Sequence, residues 1–166
     1  IVFVVLDPAT SAAQVPPADW TVTDVGAPSI PGYATRTDET ITISGGGNSV
    51  GGQVDRFTFT HRELTGDGTI VARVSSLEGL TREAKVGVMI RNSLSPGAPN
   101  AFVFVSPSAG IVFQGRTDES RETLSTRSGS RAAPAWLRLD RRGSTVTASW
   151  SADGVTWTKV GSDQVP

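Results

Sequence analysis

Residues 136–161, WLRLDRRGSTVTASWSADGVTWTKVG, hold the feature that most limits what this chain can fold into. Three short runs alternate with a period of two. Leu137 and Leu139 alternate with Arg138 and Asp140. Val146, Ala148 and Trp150 alternate with Thr145, Thr147 and Ser149, and Thr156, Thr158 and Val160 alternate with Trp157 and Lys159. That period puts one set of side chains on a buried face and the other toward solvent. Two turn signals separate the runs, Arg142-Gly143-Ser144 and Asp153-Gly154. The second is a pair that readily supplies the positive φ angles of a two-residue hairpin. The stretch reads as an antiparallel meander with one wet face.

The pattern recurs upstream. Residues 33–37 and 40–44 read as a strand pair turning at Asp38-Glu39, with Ile41 and Ile43 inward. Strands are also expected at 20–25, 53–61, 69–77 and 84–92, with a short one at 122–126. Residues 101–106 and 110–116 form a hairpin around Pro107-Ser108-Ala109. Residues 1–6 (IVFVVL) are continuously apolar, as expected of a strand covered on both faces. Residues 7–18 are rich in Pro, Ala and Ser and read as a connector. No helical periodicity or Gly-Lys-Ser/Thr follows Gly45-Gly46-Gly47-Asn48, so this is a mobile loop or bulge rather than a phosphate cradle. With about twelve short strands, the class is all-β, and a two-sheet antiparallel sandwich buries so many one-sided strands.

Composition excludes several functions. A chain of 166 residues with 37% hydrophobic residues, 18 Gly and 10 Pro suits one turn-rich domain. A net charge of −1 provides no long-range field toward nucleic acid or an anionic membrane. There is no cysteine, and His61 is the only histidine, which argues against a zinc site. The longest apolar run, residues 1–6, is far short of the ~20 residues a membrane span needs and lacks a basic leader. The chain reads as a mature, soluble fragment.

Six segments in order carry a resemblance: DVGAPSIPG (24–32), DRFTF (55–59), GDGTIVARV (66–74), AKVGVMIR (84–91), FQGR (113–116) and SADGVTW (151–157). Together they resemble bacterial extracellular modules of the concanavalin A-like type (lectin, glucanase and laminin-G sandwiches) over most of the chain. The resemblance implies a jelly roll of two curved antiparallel sheets, a secreted or cell-surface location, neighbouring domains in one polypeptide, and a glycan or polysaccharide as partner. The ends depart from the pattern. The family continues beyond the strand near Val160-Gly161 with an apolar strand, whereas here an apolar strand stands at residues 1–6. Residues 1–18 are therefore expected to replace that strand, in the same molecule or in a neighbouring repeat, and residues 19–166 to form the sandwich.

Arg73, Arg91, Gln114 and Arg116 each alternate with aliphatics on middle strands and are the candidate ligand-binding set, if those strands neighbour one another on one sheet. Guanidiniums there can bind hydroxyls or carboxylates of an acidic glycan, or pair with Asp55 or Glu63 as surface salt bridges. Trp20, Trp136, Trp150 and Trp157 are available as aromatic platforms, with Trp150 and Trp157 positioned to pair across a hairpin. Calcium is a secondary question, with Asp55, Asp67 and Asp153 as its weak candidates, but no Asp-x-Asp-x-Asp spacing occurs and turn roles are favoured. No cofactor is expected. Asp118, Glu119 and Glu122 are the one acidic cluster comparable to a glycosidase pair, yet they lie in a polar, Arg-rich stretch that reads as a solvated loop. The sequence thus points to a non-catalytic carbohydrate-binding module, with a structural or adhesive spacer repeat as the alternative.

Overall fold

Most stretches that alternate with a period of two are extended. The computed structural model describes residues 2–5, 20–47, 50–78, 81–128 and 131–166; Ile1, Leu6, Asn48 and the expected connector 7–18 lie outside them. The described residues form thirteen strands and no helix. In chain order they are β1 (Val2–Val5), β2 (Thr21–Val25), β3 (Tyr33–Thr37), β4 (Thr40–Ser44), β5 (Phe57–His61), β6 (Gly68–Val74) and β7 (Val86–Arg91). Then follow β8 (Asn100–Ser106), β9 (Gly110–Arg116), β10 (Leu124–Arg127), β11 (Ala135–Arg142), β12 (Thr145–Ser151) and β13 (Thr158–Gln164).

Every pairing is antiparallel. A seven-stranded sheet has the order β13-β12-β11-β6-β1-β4-β3, a four-stranded sheet the order β10-β9-β8-β7, and β2 and β5 form a separate ribbon. The larger sheets pack face to face, β13 on β9, β12 on β8, and β11 and β6 on β7. Register explains the core. Leu137 pairs with Ala72 on one side and Trp150 on the other, and Leu139 with Ile70 and Ala148, so one alternation of three strands faces inward. Opposite them lie Val86, Val88, Val103, Val105, Ile111 and Phe113, all buried. Burial of apolar area at about 25 cal/mol per Å² is the main force holding the two layers together.

The second face of the four-stranded sheet is dry as well. Met89, Phe102, Phe104 and Val112 form a separate buried cluster, covered in part by Phe57 and Phe59 of β5 and by Val50. Hence β8 and β9 are buried along their whole length, as the near-continuous apolar runs 101–105 and 111–113 require.

Strand β1 lies between β4 and β6 of its own chain, with Val2 in register with Ile43, Val4 with Ile41 and Val5 with Arg73. Two local expectations need correction. The β12–β13 connection is not a two-residue hairpin, because β12 ends at Ser151 and β13 starts at Thr158. Asp153 holds this wider turn. Its Oδ1 accepts from the Ser151 hydroxyl at 2.7 Å and from the amides of Val155 and Thr156, each at 2.8 Å. Those bonds hold the Asp153 carboxyl far below the usual carboxylate range. Finally, Gly45 and Gly47 are packing positions: a Cβ at Gly45 would strike Thr58, and one at Gly47 would strike the backbone of Arg56 and Phe57.

Leu137 is fully buried on the central strand β11. Leu137→Ala should cost about 2–5 kcal/mol, read as a lower urea midpoint at unchanged slope. An unfolding free energy within about 0.5 kcal/mol of the parent would contradict this packing.

Candidate functional site

Two of the three candidate arginines converge at one end of the four-stranded sheet, where register lines up Arg91 of β7, Asn100 of β8 and Arg116 of β9. Asp55, just before β5, sits between the two guanidiniums. Its Oδ1 lies 2.7 Å from Arg116 Nη2, and its Oδ2 lies 2.9 Å from Arg116 Nη1 and 3.2 Å from Arg91 Nη1. Arg116 and Asp55 side chains are 0% exposed and that of Arg91 is 3% exposed. The remaining donors reach backbone carbonyls. Arg116 donates to Gly52, Pro96, Ala98 and Arg121, and Arg91 donates to Ser93 and Ser95. Burial pushes the Arg91 guanidinium down from its usual value, opposed by the charge and hydrogen bond of Asp55.

Gln114 is also covered. Its Nε2 donates to the Val50 carbonyl at 3.2 Å and its Oε1 accepts from Lys85 Nζ at 3.3 Å, while Lys85 itself reaches Val50 at 2.6 Å. The predicted set is thus three residues, not four. Arg73 lies on β6 in the other sheet, because Ala72 and Val74 take the inward alternation there. Its Nη1 donates to Ser75 Oγ. The pairing with Asp55 is buried rather than superficial, which closes Arg91 and Arg116 to a ligand that needs their donors, and Gln114 is engaged by Val50 and Lys85.

Aromatic groups lie open elsewhere. On the solvent side of the seven-stranded sheet, Trp136, Arg138 and Asp140 share one alternation of β11, opposite to buried Leu137 and Leu139. Trp157 stands over the Arg138 guanidinium at 4.3 Å from the ring centroid, a cation–π contact. Arg138 Nε lies 2.8 Å from Asp140 Oδ2 but is not aligned for a hydrogen bond. Gly154, at φ 78°, brings the β12–β13 turn against the Trp136 indole. Both tryptophans are half-buried. Trp150 does not pair with Trp157; it packs against the core and donates to Ser128 Oγ at 3.1 Å. The six-residue turn and a register shift at Ala148/Ser149 separate the two rings.

The remaining acids have local tasks. Asp67 Oδ1 accepts from the Gly143 amide at 2.7 Å, Asp153 fixes its own turn, and Asp55 binds the arginines. Among the described residues, no three His, Cys, Asp or Glu side chains converge on a common point. Asp118 is exposed and accepts from Thr117 and Arg121, bonds that lower its pKa and keep it ionised at neutral pH. Such a carboxylate is poorly suited to act as a general acid. Comparisons of the chain with protein-family models, curated proteins and solved structures give no match in any of the three.

The one histidine of the chain borders a cleft beside the ribbon. His61 lies within 3.0 Å of Thr23 Oγ1 and stacks on Phe59 at 5.2 Å. Burial, then the Arg91 charge, lowers its pKa below the ordinary 6.5, against a smaller opposing effect of Glu63. The unfolded chain therefore binds more protons between the lowered value and 6.5, and stability falls as pH drops through that window. The ring protons of the single imidazole should show an NMR titration midpoint below 6.5. A midpoint at or above it would contradict the arrangement.

Proposed function

We propose that this chain is a non-catalytic, carbohydrate-binding module of a larger extracellular protein, with a concanavalin A-like jelly-roll sandwich. The six ordered segments support the family and the location, and the two packed antiparallel sheets agree with it. The observation that carries the binding reading is the half-exposed pair Trp136 and Trp157 around Arg138 on the wet face of the seven-stranded sheet. An indole offers a flat apolar surface to a pyranose ring, and guanidinium donors beside it suit hydroxyl or carboxylate oxygens. Strand β11 holds Trp136 and Arg138 more rigidly than a loop would, while Trp157 reaches them from the β12–β13 turn that Asp153 fixes. Arg73, across from Trp136 in register, adds a second cation to this face. An acidic glycan is the substrate class these groups fit best.

A specific observation favours the second reading, a structural or adhesive spacer: Asp55 closes off Arg91 and Arg116 inside the protein. A glycan-array screen of the domain separates the two. The platform predicts retention of acidic glycans, weakened at least fivefold by Trp157→Ala, about 1 kcal/mol. Binding indifferent to Trp157→Ala would overturn the platform, and a blank array from folded protein would favour the spacer.

A further inference from the structure

Strands β5 and β7 are both terminal strands of their sheets: β5 hydrogen-bonds β2, β7 hydrogen-bonds β8, and neither has a second strand partner among the described residues. Between them runs a cleft of ≈ 860 Å³. Its lining takes consecutive residues of both strands, Phe57 to His61 on one side and Gly87 to Arg91 on the other, so the cleft meets both faces of each strand. It also reaches Ile41 and Ile43 of β4 and Ile70 of β6, which belong to the core between the sheets. An unpaired strand edge beside an apolar cleft is a site for strand addition, since its backbone donors and acceptors want partners.

A second observation points the same way. Thr60 Oγ1, in β5 on the wall of this cleft, is buried with no hydrogen-bond partner, in a residue only 9% exposed. A buried hydroxyl without a partner costs about 1–3 kcal/mol, and an adjacent backbone would supply one.

We propose that the cleft between β5 and β7 accepts one extended strand from a partner protein, joining the ribbon to the four-stranded sheet. Both faces of the slot are mainly apolar, with the threonines of β5 on one wall. Ile41, Ile70 and Val88 stand toward the sandwich core, and Phe59, Met89 and Phe102 belong to the aromatic cluster outside it. The incoming strand must therefore be aliphatic or small on both alternations. The lining is positive on balance: apart from Arg91, which Asp55 pairs, it holds Arg36, Arg62, Lys85 and Arg141 against the two acids Glu39 and Glu63. Acidic residues flanking an apolar centre match that lining.

The test uses the domain and a synthetic nine-residue peptide with a Val/Gly centre and a glutamate at each end, titrated by NMR and calorimetry. The expected result is saturable binding that shifts amides of β5 and β7 while leaving β11 and β12 unmoved. The same peptide N-methylated at alternate backbone amides should bind at least tenfold more weakly, because backbone pairing carries the affinity. Phe59→Lys should weaken binding without altering the glycan array, whose platform lies on the other sheet. Equal affinity for the N-methylated peptide would reveal apolar adsorption and overturn the proposal. So would the absence of binding, or a doubled mass by light scattering in which a second copy fills the slot.

Discussion

Asp55 is the residue on which the closed end of the four-stranded sheet depends. Bringing a carboxylate and two guanidiniums out of water costs several kcal/mol per ion, and attraction repays this only when geometry is good and every remaining donor is satisfied. Both conditions hold. Arg116 meets Asp55 through two parallel contacts, the bidentate form that is strongest for this pair, and its other donors end on four carbonyls. Those carbonyls belong to residues 52, 96, 98 and 121, so one side chain ties three connecting segments to the end of β9. The Asp55 amide adds a bond to the Pro96 carbonyl at 2.9 Å. Because two cations share one carboxylate, the carbonyl dipoles around them stabilise the excess positive charge.

This constraint determines where a ligand can act. An arginine with every donor engaged inside the protein cannot also recognise a sugar without losing its partners. The same sheet is apolar on its other rows, where Phe102, Phe104 and Met89 are buried. Groups able to meet solvent ligands therefore lie on the far side of the seven-stranded sheet, and the unpaired strand edges lie beside β7. Inner rigidity and outer availability are distributed between two different surfaces. Core packing across β6, β11 and β12 keeps the platform in place, because every residue of that platform on β11 sits between two buried leucine-row neighbours.

Much of the fold was legible because period-two alternation is a local property. Ile41 and Ile43 point inward as read, the turn at Asp38-Glu39 joins β3 to β4, and Pro107-Ser108-Ala109 joins β8 to β9. Alternation assigns a residue to a face, however, not a strand to a sheet. That is why Arg73 looked like a neighbour of Arg91 when β6 belongs to the opposite layer. Asp55 was visible as a partner for the arginines but read as superficial, since its partners stand 36 and 61 positions away and no local pattern reports burial at that range. Trp157 was misplaced for a different reason. A side chain, Asp153, widens the turn and so resets the register that a two-residue hairpin would have imposed.

Strong coupling between Asp55 and Arg116 holds this end of the sheet together, and a double-mutant cycle measures it directly. Unfolding free energies of Asp55→Asn, Arg116→Met and the double variant would be compared with the parent by urea denaturation. Each single change leaves a buried group unpaired, so the double variant should be less destabilised than the sum of the singles by about 2–3 kcal/mol. Costs that add to within about 0.5 kcal/mol would mean that the two side chains act independently, and the arrangement described around Asp55 would be wrong.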